Sequence, residues 1–232
     1  MKDIKLKLQD LVFNFRKWLS ENYSQQNIQE LLFDDAGYPD WNEIEDFYSE
    51  LLEKDLIKNL DKEDEENLLY LISRNWDRGR MIAWLSTGSQ LSNLGNLKKN
   101  DFINLSKTLS KINKVELDDA KSQFVSSFKK ISSLTQEIEE ILLVFYNEKN
   151  EYTKRLALIT LGKLGYSDIK KIIKISWETI DDEHHKMGCL YVIHEILNDK
   201  ELLTHYLSLL QNKESENLKN YISEITKQKN YN

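Results

Sequence analysis

Residues 151–165 read EYTKRLALITLGKLG. Glu151 opens it on an acidic note, and the basic pair Lys154 and Arg155 comes within a turn. Small and aliphatic residues, Ala157 and Leu161 among them, fill the middle, and Gly162, Leu164 and Gly165 close it. The pattern predicts a helix over about 151–164 with one apolar side. A small residue on a helix face, such as Ala157 here or Gly188 further on, lets a second helix approach closely.

The same order, acidic residues followed by a basic residue that opens an apolar helix, returns elsewhere. It is found in Asp77-Arg78-Gly79-Arg80-Met81, in Asp118-Asp119-Ala120-Lys121-Ser122 and in Asp181-Asp182-Glu183-His184-His185-Lys186. The anchors at 80, 121, 155 and 186 are 41, 34 and 31 residues apart, the spacing of stacked helix pairs.

On these residues, 151–165 resembles the second helix of a HEAT repeat, with Arg155, Ala157, Leu161, Gly162, Leu164 and Gly165 at matching places. Residues 181–197 and 77–85 resemble it more loosely, so the likeness covers roughly 64–200. The resemblance implies an all-α fold: a right-handed α-solenoid of stacked HEAT-like helix pairs over 64–232, with residues 1–63 as an N-terminal helical cap, all in one domain of 232 residues. In HEAT proteins an acidic turn residue pairs with a basic residue of a neighbouring helix, often as a ladder. The resemblance therefore implies structural roles for Arg155, Arg80 and Lys186.

The remainder of the chain agrees in type. Ile4, Leu8, Leu11, Val12, Phe15 and Trp18 step by three and four, which gives one apolar stripe. Asp40 reads as an N-cap with Glu43 completing a capping box, opening a helix that carries Trp41, Ile44, Phe47, Tyr48, Leu51, Leu52 and Leu56 on one face. Later helices are expected near 64–73, 77–87, 100–112, 117–131, 135–147, 167–178, 183–198, 201–211 and 215–228. A single proline permits this many uninterrupted helices.

Composition excludes several classes. With one cysteine, Cys189, no intrachain disulfide can form, which suits a reducing cytoplasm. The opening MKDIKLKLQDLVFNFRKW is broken by charges, unlike a signal peptide, and the longest apolar run, Ile141 to Tyr146, is far too short for a membrane span. No membrane partner is expected.

Candidate chemistry is sparse. His184, His185 and Cys189 have residue types that bind zinc, yet adjacent histidines diverge and a third ligand is not evident, so a polar turn beside a core cysteine is the expectation. Arg74, Trp76, Asp77, Arg78, Arg80 and Trp84 form an arginine–tryptophan cluster of the kind HEAT-like alkylpurine DNA glycosylases use, and Trp177, Asp181 and Arg155 repeat the types. The chain lacks the positive balance that duplex DNA normally requires, its net charge being −7, so nucleic acid is not the expected partner. No catalytic, cofactor or metal site is expected, and the reading is that of a non-enzymatic protein.

The charge is uneven. Residues 30–66 hold 15 Asp/Glu against 3 Lys, a net of −12, whereas the rest carries a net of +5. This acidic segment reads either as a solvated helix face or as a docking surface for a basic protein. Partner-binding candidates are Glu43, Glu45, Asp46, Glu50 and Glu53, preceded by Asp34 and Asp35, with Arg74, Trp76 and Arg78 as a second surface. An acidic, Lys/Asn/Ile-rich HEAT-like chain is similar in style to bacterial immunity proteins, which neutralise toxins by binding them. That style implies a basic toxin as partner; the alternatives are a DNA-acting protein of the glycosylase type and a scaffold subunit.

Overall fold

The computed structural model describes residues 2–24, 37–75, 77–87, 95–210 and 215–228. All regular structure among them is helical, so the all-α class holds for the described residues. The chain divides into two compact units, residues 1–130 and residues 131–232.

The first unit holds α1 (Lys2–Asn22), α2 (Trp41–Glu53), α3 (Lys62–Arg74), α4 (Arg78–Thr87), α5 (Gly95–Leu109) and α6 (Asp118–Ser127). In its centre is α3, which packs against α1, α4, α5 and α6. Its C-terminal half is buried on every side from Leu68 to Arg74, as a central helix must be. The α1 stripe closes on it through Leu8, Leu11, Val12 and Phe15, all buried. Phe15 is also the middle of an aromatic cluster, with ring centroids 5.0 Å from both Tyr38 and Trp41 and 6.0 Å from Tyr70.

Helix α2 is held by its apolar face. Trp41, Ile44, Phe47, Tyr48, Leu51 and Leu52 are all buried, as their spacing predicts. Burying six such side chains supplies on the order of 10 kcal/mol before entropy is counted. Tyr48 anchors it further by donating its hydroxyl to the carbonyl of Met81 at 2.8 Å. The expected capping box is not formed. The Asp40 side chain makes no cap bond, and the first turn closes instead through the Glu43 amide and the Asp40 carbonyl at 3.1 Å. The backbone of Asp40, with φ −101° and ψ 26°, is outside the extended region that a side-chain cap adopts.

The second unit holds α7 (Gln136–Tyr146), α8 (Glu151–Lys163), α9 (Ile169–Thr179), α10 (Glu183–Tyr191), α11 (Lys200–Ser208) and α12 (Glu216–Gln228). Side-chain caps set five of the starts: Thr135, Asn150, Asp182, Asp199 and Ser215 accept from the amides of Ile138, Thr153, His185, Leu202 and Leu218. Helix α8 packs on α7, α9 and α10, and α10 packs on α9 and α12. Tyr146 and Ser176 join α7 to α9 by a 2.8 Å hydroxyl bond, and Trp177 meets Tyr206 of α11 at 4.8 Å. Contacts thus link α8 to α10 to α12, and α7 to α9 to α11.

Two glycines let α8 sit close against the helical segment from Glu183 to Ile196. A Cβ on Gly188 would be 2.7 Å from Arg155 Cγ, and one on Gly162 would be 2.9 Å from Val192 Cγ1. The unbroken helix expected over 183–198 instead opens into a wide π turn at Val192–Ile196, closed by the Leu197 amide on the Val192 carbonyl at 2.9 Å. That turn begins at the residue that fits over Gly162, so the backbone departs from α geometry at a close contact between the two helical segments.

Candidate partner surface

Helical geometry separates the two faces of α2. With six core positions turned inward, Glu43, Asp46, Glu50 and Glu53 succeed one another at steps of three and four along the outer side. At 1.5 Å per residue they span about 15 Å. Glu43, Asp46 and Glu53 are exposed, as is Asn42, and none of the three acids forms an ion pair with a described residue. Glu50 is paired with Lys54 at 2.7 Å, and that bond draws the Glu50 carboxyl below and the Lys54 ammonium above their ordinary ranges.

Glu45 is placed differently from its neighbours. Its side chain is only 15% exposed and accepts from Arg80 Nη2 at 2.7 Å and from Asn75 Nδ2 at 3.2 Å. It therefore ties α2 to the start of α4. Arg80 also approaches Asp77 at 3.4 Å and stacks over the Trp84 ring at 5.3 Å.

Much of the remaining acidic charge is used inside the unit. Lys5 pairs with Asp61 at 2.5 Å and Asp64 at 3.0 Å, and its bond draws the Asp61 carboxyl down. Asp55 pairs with Lys58. Glu66 lies 3.6 Å from Lys114, and Glu65, raised by burial, accepts from the Thr108 hydroxyl. Among the described residues of the segment, the exposed acids outside these pairs are Glu43, Asp46 and Glu53 on α2, Asp40 just before it and Glu63 on α3. Asp34 and Asp35 lie outside the described residues.

The arginine–tryptophan cluster is engaged between helices. Arg74 is 5% exposed, and burial lowers its pKa. Arg78 pairs with Asp119 of α6 at 2.9 Å and donates to the Ser73 carbonyl at 3.3 Å. Trp84 stacks on Tyr48 with centroids 6.0 Å apart. Trp76 lies outside the described residues. Of the expected partner residues, the structure gathers Glu43, Asp46, Glu50 and Glu53 into one strip, sets Glu45 and Arg78 in interhelix contacts and buries Arg74 at the end of α3.

Sequence reasoning passed over the neighbour of this strip. A groove of about 470 Å³ is lined by Asp3, Leu6, Lys7, Asp10, Leu11 and Asn14 of α1 and by Glu43 of α2. Leu6 is 48% and Phe13 65% exposed. Both stand off the apolar stripe of α1, and that departure was the signal available in the sequence.

In the second unit, His185 is 1% exposed and its Nδ1 is 3.4 Å from Glu151 Oε1, the oxygen that also accepts from Arg155 Nε at 2.9 Å. Burial opposes ionisation of Glu151, but bonding to His185 and Arg155 outweighs it and the carboxyl is drawn down. The residue that reaches from α10 to α8 is thus His185, whereas Arg155 and Lys186 pair near themselves, with Glu151 and with Asp181. Cys189 is fully buried and its thiol is pushed up to about 12 by desolvation. Among the described residues no cluster of His, Cys, Asp and Glu is arranged to hold a metal, and no helix is long and apolar enough to cross a membrane.

Compared with family models, curated proteins and solved structures, the chain matches none.

Proposed function

We propose that this chain is a non-enzymatic, HEAT-like binding protein whose acidic α2 face docks a basic protein, in the manner of an immunity protein that masks a toxin. The observation that carries the reading is the strip Glu43, Asp46, Glu50 and Glu53. Three of its four carboxylates have no ion-pair partner among the described residues, while most acids around them are internally paired. Successive carboxylates are about 5 Å apart along the helix, within the Debye length of about 8 Å at physiological salt, so their fields overlap at an approaching partner. The linkage of α8 to α10 to α12 and of α7 to α9 to α11 supports the stacked-pair reading within residues 131–232.

The test is differential capture. Wild-type bait and a bait carrying Glu43→Lys, Asp46→Lys, Glu50→Lys and Glu53→Lys are exposed to the same host extract, and retained proteins are quantified by mass spectrometry. The expected outcome is a basic protein held by the wild type and lost by the variant. A basic partner retained equally by both baits contradicts the reading.

A further inference from the structure

The α1 side of the acidic strip carries a second kind of information. Asp3, Leu6, Asp10 and Phe13 recur at steps of three and four along α1, so acidic and apolar side chains share one outward face. Leu6 and Phe13 are seven residues apart, about 10 Å along the helix, the separation of i and i+7 anchors on a docking helix. The groove beside them has Asp3 and Asp10 on one wall and Glu43 on the other. Its one lysine, Lys7, is over the Phe47 ring at 5.3 Å and lies close enough to Glu50 to lower its pKa.

Resting on the reading that the acidic face binds a basic protein, we propose that the partner lays a cationic amphipathic helix along this face of α1, its apolar residues on Leu6 within the groove and on Phe13 beside it, and its lysines or arginines against Asp3, Asp10 and Glu43. Charge complementarity selects the occupant. A second copy of this chain would bring acidic walls against acidic walls, and an anionic or neutral segment would leave the carboxylates desolvated without a counter-charge. The two exposed apolar residues then supply what charge alone lacks: a fixed register and a contact that salt does not screen.

The probe is a labelled synthetic helix of roughly 18 residues, built of Leu and Lys with the Leu on one face. Its control is a scrambled peptide of identical composition with no apolar face. Binding to the whole protein is read by fluorescence anisotropy at about 0.05 and 0.5 M salt. The amphipathic peptide should bind at least about tenfold more tightly than the scrambled one and keep part of its affinity at high salt. Leu6→Ser with Phe13→Ser should abolish that advantage while leaving the weak, salt-sensitive binding of the scrambled peptide intact. Asp10→Asn with Glu43→Gln should weaken both. Equal binding of the two peptides, or an advantage unaffected by Leu6→Ser and Phe13→Ser, overturns the groove proposal. Salt-sensitive binding that is lost on reversing the α2 strip would in that case still support the acidic docking face. All substituted positions are at the surface, and unchanged far-ultraviolet circular dichroism confirms that the fold persists.

Discussion

Helices α8 and α10 approach closely at Gly188, and a double substitution there tests whether they pack as described. In Gly188→Ala the new methyl would be 2.7 Å from Arg155 Cγ and 2.9 Å from Cδ, so one helix or the Arg155 chain must move. Alanine is favoured over glycine inside a helix by roughly 1 kcal/mol, whereas overpacking costs about 1–3 kcal/mol. The single change should therefore destabilise by about 0–2 kcal/mol. Arg155→Ala removes Cγ and Cδ and leaves only Cβ, which the methyl would meet at an ordinary 3.9 Å. On that background Gly188→Ala keeps its helical advantage alone and should stabilise by roughly 1 kcal/mol. The coupling between the sites is then about 1–3 kcal/mol, well above the roughly 0.5 kcal/mol scatter of independent sites. Urea unfolding of the four proteins, monitored by far-ultraviolet circular dichroism, measures it. An effect of Gly188→Ala that has the same sign and size on both backgrounds would refute the packing.

Buried groups of the same unit give two pH-linked outcomes. Cys189 titrates near 12, so its native thiolate population at roughly pH 8 is about one part in ten thousand, and a thiol-specific reagent should label the folded protein orders of magnitude more slowly than the urea-unfolded one. Because that pKa is raised, the stability gained by burying the neutral thiol is complete below the unfolded value of about 8.5 and is lost as pH climbs toward about 12; Cys189→Ala should flatten this alkaline loss. Glu151 is shifted the other way, so its contribution is present above the unfolded value of about 4.3 and is lost as pH falls through the lower native one. Glu151→Gln should thus cost about 1–2 kcal/mol at neutral pH in denaturant titrations, with the difference from wild type vanishing in acid.

The core of α2 was legible because burial tracks spacing. Trp41, Ile44, Phe47, Tyr48, Leu51 and Leu52 repeat every three or four residues, and each is buried. The strip on its back was legible for the same reason. Glu45 was not, because what turns it inward is Arg80, 35 residues away, and no local pattern records a partner at that distance. Arg74 and Arg78 were likewise conspicuous as residue types, but their place between helices depends on Asp119 and on the burial of the whole C-terminal half of α3. Acidic–basic pairing between helices was anticipated as a kind of contact, but the approach of His185 to Glu151 was not, since the sequence marks His185 only as part of a polar turn. Periodicity also passed straight through the π turn after Tyr191, since Val192 and Ile193 are apolar in either geometry and only the contact with Gly162 distinguishes them. Asp40 has the residue type and the Glu43 spacing of a capping box, yet a cap requires extended backbone that Asp40 does not adopt.

In the proposed function, the outer face of α2 steers a basic protein onto this chain. The most direct test is the association rate of the captured partner, measured by stopped flow across ionic strength for the wild type and for the variant with lysine at positions 43, 46, 50 and 53. Glu45 is left unchanged there because its loss would break the Arg80 contact. The variant should associate about tenfold or more slowly at low salt, and the steep salt dependence of the wild type should flatten or reverse. An unchanged association rate at low salt, in a variant that retains its helical spectrum, would contradict it.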